Sequence, residues 1–213
     1  MTNRETLTLL IGTRNAGKIY EIKEALKELP IRLITLDESA VSQEPEENGL
    51  TYEENATIKA EFYSSITGYS ALADDSGIEV IALDNRPGLY TARYGGSRIP
   101  DSERCDLLLG EMKDISDRRA VFRCAFALTL GGVTRTVTGN CSGAIGSKPA
   151  GTRGFGFDPI FIPDGFGTTF AQLPAELKAT ISHRARALVG VKQLLTDIPG
   201  CHQHLLDQAQ ADL

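Results

Sequence analysis

Residues 7–36 read as strand, helix, strand, an order that points to an α/β architecture. Leu7 to Gly12 is a short apolar run ending in glycine, as a buried strand does. Asn15 stands where a helix cap belongs, ahead of an apolar stripe of Ile19, Ile22, Ala25, Leu26 and Leu29. Pro30 follows that helix, and Ile31 to Leu36 supplies the next strand.

The chain has 213 residues, enough for one large domain or two intimate lobes. With 41% hydrophobic and 23% charged residues it can bury a sizeable core. A formal net charge of −6 argues against a general nucleic-acid binder, which carries a basic face. No run approaches the ~20 apolar residues that span a bilayer. Met1 to Glu5 leads straight into the first strand without a signal-peptide pattern, so the expected compartment is the cytoplasm. Cys105, Cys124, Cys141 and Cys201 show no C-x-x-C spacing, which disfavours zinc; they are expected as free thiols.

Further along, residues 37–49 are acidic and loop-like. Thr51 and Glu54 have capping-box spacing, starting a helix that should reach about Ile66. Ala71 to Ala73 reads as a small strand leading into an acidic turn, Asp74-Asp75-Ser76-Gly77, with Ile78 to Leu83 extended beyond it. Residues 86–100 form a structured loop and 101–113 a helix. Ala120, Phe122, Cys124, Phe126, Leu128 and Leu130 alternate with their neighbours, a strand period. Gly131-Gly132 is a hairpin turn and Val133 to Ile145 the returning strand. A glycine-rich loop, Gly151 to Gly156, precedes a short strand at Pro159 to Ile162. Leu177 to Ile198 is mostly helical, and the tail 200–213 is polar and expected to fray.

Four constellations carry chemistry, each with a plainer alternative. Thr13, Arg14, Asn15, Ala16, Gly17 and Lys18 lie at a strand–turn–helix junction, where first-turn amides and a lysine favour an anion. An ordinary turn with a solvated lysine is the alternative. Asp74-Asp75 follows a strand, where α/β sheets bind ligands. Mg²⁺ takes one or two protein carboxylates plus phosphates and water, so Asp75 and a glutamate from 44–47 would suffice. The alternative is a locally capped turn. Phe155, Gly156, Phe157 and Asp158 offer stacking faces and a carboxylate for a base, or merely core phenylalanines. Beside Lys178, Ser182 stands where a helix N-cap belongs, so His183 and Arg184 start a helix with positive charge, which invites an anion or a paired carboxylate; the alternative is a structural histidine. Jointly, an acidic chain gathers Lys18, Lys59, Arg93, Lys178, His183 and Arg184 in or beside these motifs, as a triphosphate pocket requires.

Six segments in order resemble the inosine/xanthosine triphosphate pyrophosphatase family, also called Ham1-like. They are TRNAGK (Thr13 to Lys18), ENGLTYEENATIK (Glu47 to Lys59), ADDSG (Ala73 to Gly77), PGLYTARY (Pro87 to Tyr94), GTRGFGFDPIF (Gly151 to Phe161) and KATISHRARAL (Lys178 to Leu188). The resemblance implies a single domain over 1–213, with an elongated mixed β-sheet flanked by helices and two lobes with a nucleotide cleft between them. It implies a homodimer and the hydrolysis of ITP, dITP, XTP and dXTP to monophosphate and pyrophosphate. Carried onto this chain, Thr13 to Lys18 and Lys59 hold phosphates. Glu47 and Asp75 hold Mg²⁺, and Asp75 is the assigned catalytic base. Ser76 and Arg93 contact the nucleotide. Phe155 to Asp158 hold base and sugar, with Phe157 where relatives often carry Tyr or Trp. Lys178, His183 and Arg184 contact base and phosphates. Competing readings are a Maf-like pyrophosphatase of modified pyrimidines, a silent nucleotide-binding module and a structural protein without ligand.

Overall fold

The computed structural model describes residues 6–197. The polar tail, Cys201 and the end of the final helical segment lie outside the described residues. The described residues form seven strands and five α-helices in the order β1 (Leu7–Ile11), α1 (Ala16–Leu26), β2 (Ile31–Thr35), α2 (Tyr52–Thr67), β3 (Ser70–Val80), β4 (Arg86–Pro87), α3 (Asp101–Glu111), β5 (Arg119–Leu130), β6 (Val133–Ile145), β7 (Phe161–Pro163), α4 (Ala175–Ile181) and α5 (His183–Thr196). The strands form one mixed sheet in the order β2-β1-β3-β5-β6-β7, with β4 paired to β3. β1 is parallel to both β2 and β3, the opening α/β unit expected from residues 7–36. No helix among the described residues is long and apolar enough to cross a membrane.

The chain divides into two compact units, one of residues 1–74, 125–138 and 187–213, the other of 75–124 and 139–186. The first unit is nucleated by local signals. Asn15 caps α1 by accepting from the Lys18 amide at 3.0 Å, and Thr51 caps α2 by accepting from the Glu54 amide at 3.1 Å. Each such cap stabilises by about 1 kcal/mol. The Glu54 carboxylate accepts from Leu50 N at 2.6 Å. α2 ends at Gly68 in the left-handed region, φ 73°. Leu10, Ile34, Leu36, Tyr63 and Ala71 form a core cluster here. Gly12 is needed for close approach: a Cβ there would lie 2.9 Å from the Tyr63 ring and 3.0 Å from Ala73 Cβ.

β5 follows the expected alternation only at its start; Cys124 to Thr129 are all buried. Strands covered on both faces lose alternation. Small residues, Ala125 and Ala127, occupy one face there and Phe126 and Leu128 the other. The β5–β6 hairpin turns at Gly131 (φ 54°) and Gly132 (φ 80°), the paired positive angles of a type I′ turn. Thr134, facing Thr129 at 3.0 Å, donates to Glu61 of α2 at 2.9 Å.

The second unit packs Ile78, Val80, Leu108, Phe122, Phe157, Phe161 and Phe170 into its core. Arg118 donates to the carbonyls of Ile145, Met112 and Gly146 at 3.0, 2.7 and 2.5 Å. Glu111, ending α3, accepts from the Tyr94 hydroxyl and from Arg86 at 2.8 Å. The Tyr94 hydrogen bond, and after it Arg86, hold the Glu111 carboxyl below the usual glutamate range, against burial, which raises it. A depressed folded value gives stability that is full above the unfolded pKa, about 4.3, and is lost as pH falls through the folded value. Glu111→Gln is therefore expected to lower the melting temperature at about pH 7, with the gap closing below about pH 4; thermal denaturation of both proteins across that range checks it.

Three expectations need correction. Asp74 to Gly77 are not a turn but lie within β3, a single 11-residue strand. Asp, Ser and Gly favour turns locally, but this segment extends β3 from its pairing with β1 to its pairing with β4, and ladder formation overrides local preference. Ile81–Leu83, expected as extended, is a 3₁₀ turn, and the short strand expected from Pro159 starts at Phe161 after a 3₁₀ turn at Asp158–Ile160. By contrast, the cap read at Ser182 is present: its extended backbone (φ −68°, ψ 157°) parts α4 from α5 and frees its hydroxyl to cap α5 through Ala185 N at 3.1 Å.

Candidate active site

In the first unit, the β1–α1 turn and the segment after β2 bring cations and carboxylates together. α1 opens at Ala16, so Ala16, Gly17 and Lys18 carry first-turn amides, and no acidic side chain lies in that turn. Asn15 N donates to Thr13 Oγ1 at 3.3 Å. Lys18 Nζ sits 3.0 Å from Asp74 Oδ2, whose side chain is 0% exposed. Lys59, from the third turn of α2, pairs with Glu47 at 3.0 Å. Arg14 turns elsewhere: its guanidinium holds Asp37 at 2.6 Å, Glu44 at 3.1 Å and the Val41 carbonyl. Residues 41–49 have no regular structure of their own. Side chains hold them: Arg14 at one end, Lys59 at Glu47, and buried Asn55, whose Oδ1 accepts from Gly49 N at 2.9 Å.

β1 is in register with β3 only from Leu9–Ser70 to Ile11–Leu72, while β4 is in register from Glu79. Asp74 and Asp75 fall between these ladders, inside β3 rather than past the end of a strand as expected. Successive strand residues face opposite ways, which separates the two carboxylates.

In the second unit, Asp75 is 8% exposed and its Oδ1 accepts from Ser76 N at 3.0 Å. Arg184, 2% exposed in the first turn of α5, donates to Ser76 Oγ at 3.0 Å. Its guanidinium also lies 5.5 Å from the centroid of the Phe155 ring, and Lys178 Nζ lies 5.0 Å from the same ring. Lys178 is held by Asp158 Oδ2 at 2.5 Å, and that oxygen accepts from Phe155 N at 2.9 Å. Ser76, Phe155, Asp158, Lys178 and Arg184 thus form one cluster. His183 stacks on Phe122, centroids 4.6 Å apart and planes 8° off parallel. Phe157 is 1% exposed and packs in the core beside Tyr94; the ring available as a platform is Phe155. Arg93 is exposed and lies over Tyr90 at 5.0 Å. Gly156 adjoins the platform and is half-buried.

A profile described as the Ham1 family matches residues 9–194. The chain belongs to the Ham1 family. It is 45% identical over 190 residues to a dITP/XTP pyrophosphatase of Geobacter sulfurreducens, covering 88% of this chain and 96% of that protein. It is 42% identical to a dITP/XTP pyrophosphatase of Bacillus subtilis, covering 87% and 96%. The solved structure of a HAM1 protein from Coxiella burnetii superposes with a TM-score of 0.83 at 38% identity, covering 90% of this chain and all of that one.

Within this Ham1 chain, sequence motifs alone missed three residues that shape the two clusters. Asn55 anchors Gly49. Phe122 stacks on His183; the period-two pattern placed it inward but not beside histidine. Asp101 accepts from Gly156 N at 2.6 Å across 55 residues of sequence, and no local signal foretells that pairing.

Proposed function

We propose that this chain hydrolyses ITP, dITP, XTP and dXTP to the monophosphate and pyrophosphate. The observation that carries the reading is the second-unit cluster, in which Lys178 and Arg184 lie 5.0 and 5.5 Å from the centroid of the Phe155 ring. Phe155 offers a face on which a purine stacks. Lysine and arginine only donate hydrogen bonds. A 6-keto purine presents an acceptor to them, whereas adenine presents an amino donor and leaves them unmatched. The names of the similar proteins agree with that selectivity.

The first-unit cluster serves the phosphates. Lys18 and Lys59 hold phosphate oxygens and stabilise the departing pyrophosphate; each ammonium is already held by a carboxylate at 3.0 Å. The first-turn amides at Ala16 and Gly17 add fixed donors. Thr13 and Asn15 set the turn. Ser76, Arg93 and His183 complete the nucleotide contacts.

Pyrophosphatases of this kind generally use a divalent cation, and the donors present suit one. Glu47 and Asp75 are oxygen ligands, and no group of three or more His, Cys, Asp or Glu forms a metal cage among the described residues. Mg²⁺ needs no such cage, because phosphates and water complete its shell. Glu47 receives a cation at 3.0 Å, supplied by Lys59. When bound, Mg²⁺ supplies charge neutralisation on the phosphates. Asp75 orients the attacking water toward the α-phosphorus. The new P–O bond forms there as the bond to the β-phosphate oxygen breaks. The homodimer belongs to the same reading and rests on the family resemblance; the cytoplasmic compartment is the expectation drawn from the sequence.

A panel of nucleoside triphosphates assayed for pyrophosphate and orthophosphate tests the proposal. Pyrophosphate and monophosphate from ITP and XTP are expected, with activity lost on chelation by EDTA and restored by Mg²⁺. Orthophosphate from ATP, or preference for dUTP, would overturn it.

A further inference from the structure

The Phe155 ring is aimed by two consecutive peptide groups, and each is pinned by a different carboxylate. Phe155 N donates to Asp158 Oδ2 at 2.9 Å, and Gly156 N donates to Asp101 Oδ2 at 2.6 Å. The two peptide planes on either side of a residue set its φ and ψ, and these set the direction of its Cα–Cβ bond. Asp158 lies in the same loop, three residues on. Asp101 opens α3 and acts from outside the loop.

α3 holds that peptide firmly. Cys105 Sγ, one turn along, donates to Gly156 O at 3.5 Å, so both polar groups of Gly156 engage the first turns of this helix. Burial, with the neighbouring carboxylates Asp101 and Asp106, pushes the Cys105 thiol up to about 12, so it stays a donor at neutral pH. The other oxygen of Asp101 accepts from Arg104 at 3.0 Å, and Arg104 donates onward to Gly96 O at 3.1 Å. The Arg104 side chain is 11% exposed. Asp101 is thereby braced from behind while its free oxygen faces the loop.

We infer that Asp101 is a positioning residue for base selection: through the Gly156 amide it holds the Phe155 ring in place beside Lys178 and Arg184. The inference rests on the reading of Phe155 as the base platform. Asp101 touches no substrate. Its loss moves the platform by a fraction of its width and leaves the phosphate-binding residues alone.

The test compares kcat and KM for ITP and ATP in Asp101→Ala, Asp101→Asn and Phe155→Ala. Asp101→Ala is expected to lower the ITP-to-ATP ratio of kcat/KM by about 10-fold or more, mainly through a raised KM for ITP, since displacements of this order cost up to about 10²-fold. Asp101→Asn keeps an oxygen acceptor at that place and is expected to restore most of the ratio. A purely structural role for Asp101 would lower the melting temperature and active fraction without moving the ratio. An Asp101→Ala ratio within twofold of the parent, with Phe155→Ala lowering it, would overturn the inference and leave the platform standing. A ratio unmoved in Phe155→Ala as well would overturn the platform reading itself. Should Asp101→Ala fail to fold, Asp101→Asn with a ratio below that of Phe155→Ala would equally overturn the inference, because the amide oxygen remains.

Discussion

Asp75→Asn is expected to lower kcat for ITP by about 10²- to 10⁴-fold, the range for removing a group that acts on the attacking water. The fold should survive. The substitution conserves volume, and an amide oxygen can still accept from Ser76 N, now at 3.0 Å. The melting temperature is expected to stay within about 4 °C, roughly 1 kcal/mol for a chain of this size. Asp74→Asn is the informative contrast. Its Oδ2 sits 3.0 Å from Lys18 Nζ with the side chain fully buried. Removing one partner of a buried pair costs of order 3 kcal/mol, so this variant should lose stability first and rate second. Two adjacent carboxylates with opposite phenotypes follow from their alternate directions on β3. Thermal melts and steady-state ITP kinetics on both variants check this. Near-parental kcat in Asp75→Asn would remove Asp75 from the chemistry.

Local chemistry made much of the fold legible and long-range pairing made the rest opaque. Asn15, Thr51 and Gly131-Gly132 act on neighbours within a few residues, so their caps and turn can be read directly. Asp74 to Gly77 misled because their turn preference is local, whereas β3 is built by β1, β4 and β5 from elsewhere in the chain. Ser182 was readable as a cap, yet the break it makes between α4 and α5 needed its extended backbone. At the candidate site, motif order names candidate residues but not their partners. Nothing local distinguishes Phe155, the proposed platform, from Phe157, a core residue two positions on. Nor does spacing disclose that Arg14, inside the turn between β1 and α1, binds Asp37 and Glu44.

Lys178→Met should have the largest effect on stability. Lys178 Nζ lies 2.5 Å from Asp158 Oδ2, with side chains 11% and 4% exposed. Methionine matches the length of the stem but removes the ammonium facing a buried carboxylate. Breaking such a pair from one side costs about 3–5 kcal/mol. At about 2–4 °C per kcal/mol that lowers the melting temperature by roughly 6–20 °C. The double substitution Lys178→Met with Asp158→Asn should recover much of the loss, because neither member of the pair is then charged and an amide oxygen at 158 can still accept from Phe155 N, held at 2.9 Å in the parent. Replacing both members of a buried pair is often near neutral. Activity should not recover in parallel. The ammonium 5.0 Å from the Phe155 ring is absent from both variants, so the KM for ITP should remain raised in the double variant after stability returns. That separation distinguishes the two tasks proposed for Lys178: neutralising Asp158, which an uncharged pair can replace, and donating to the base, which methionine cannot do. A double variant restored in both melting temperature and KM would confine Lys178 to the structural task.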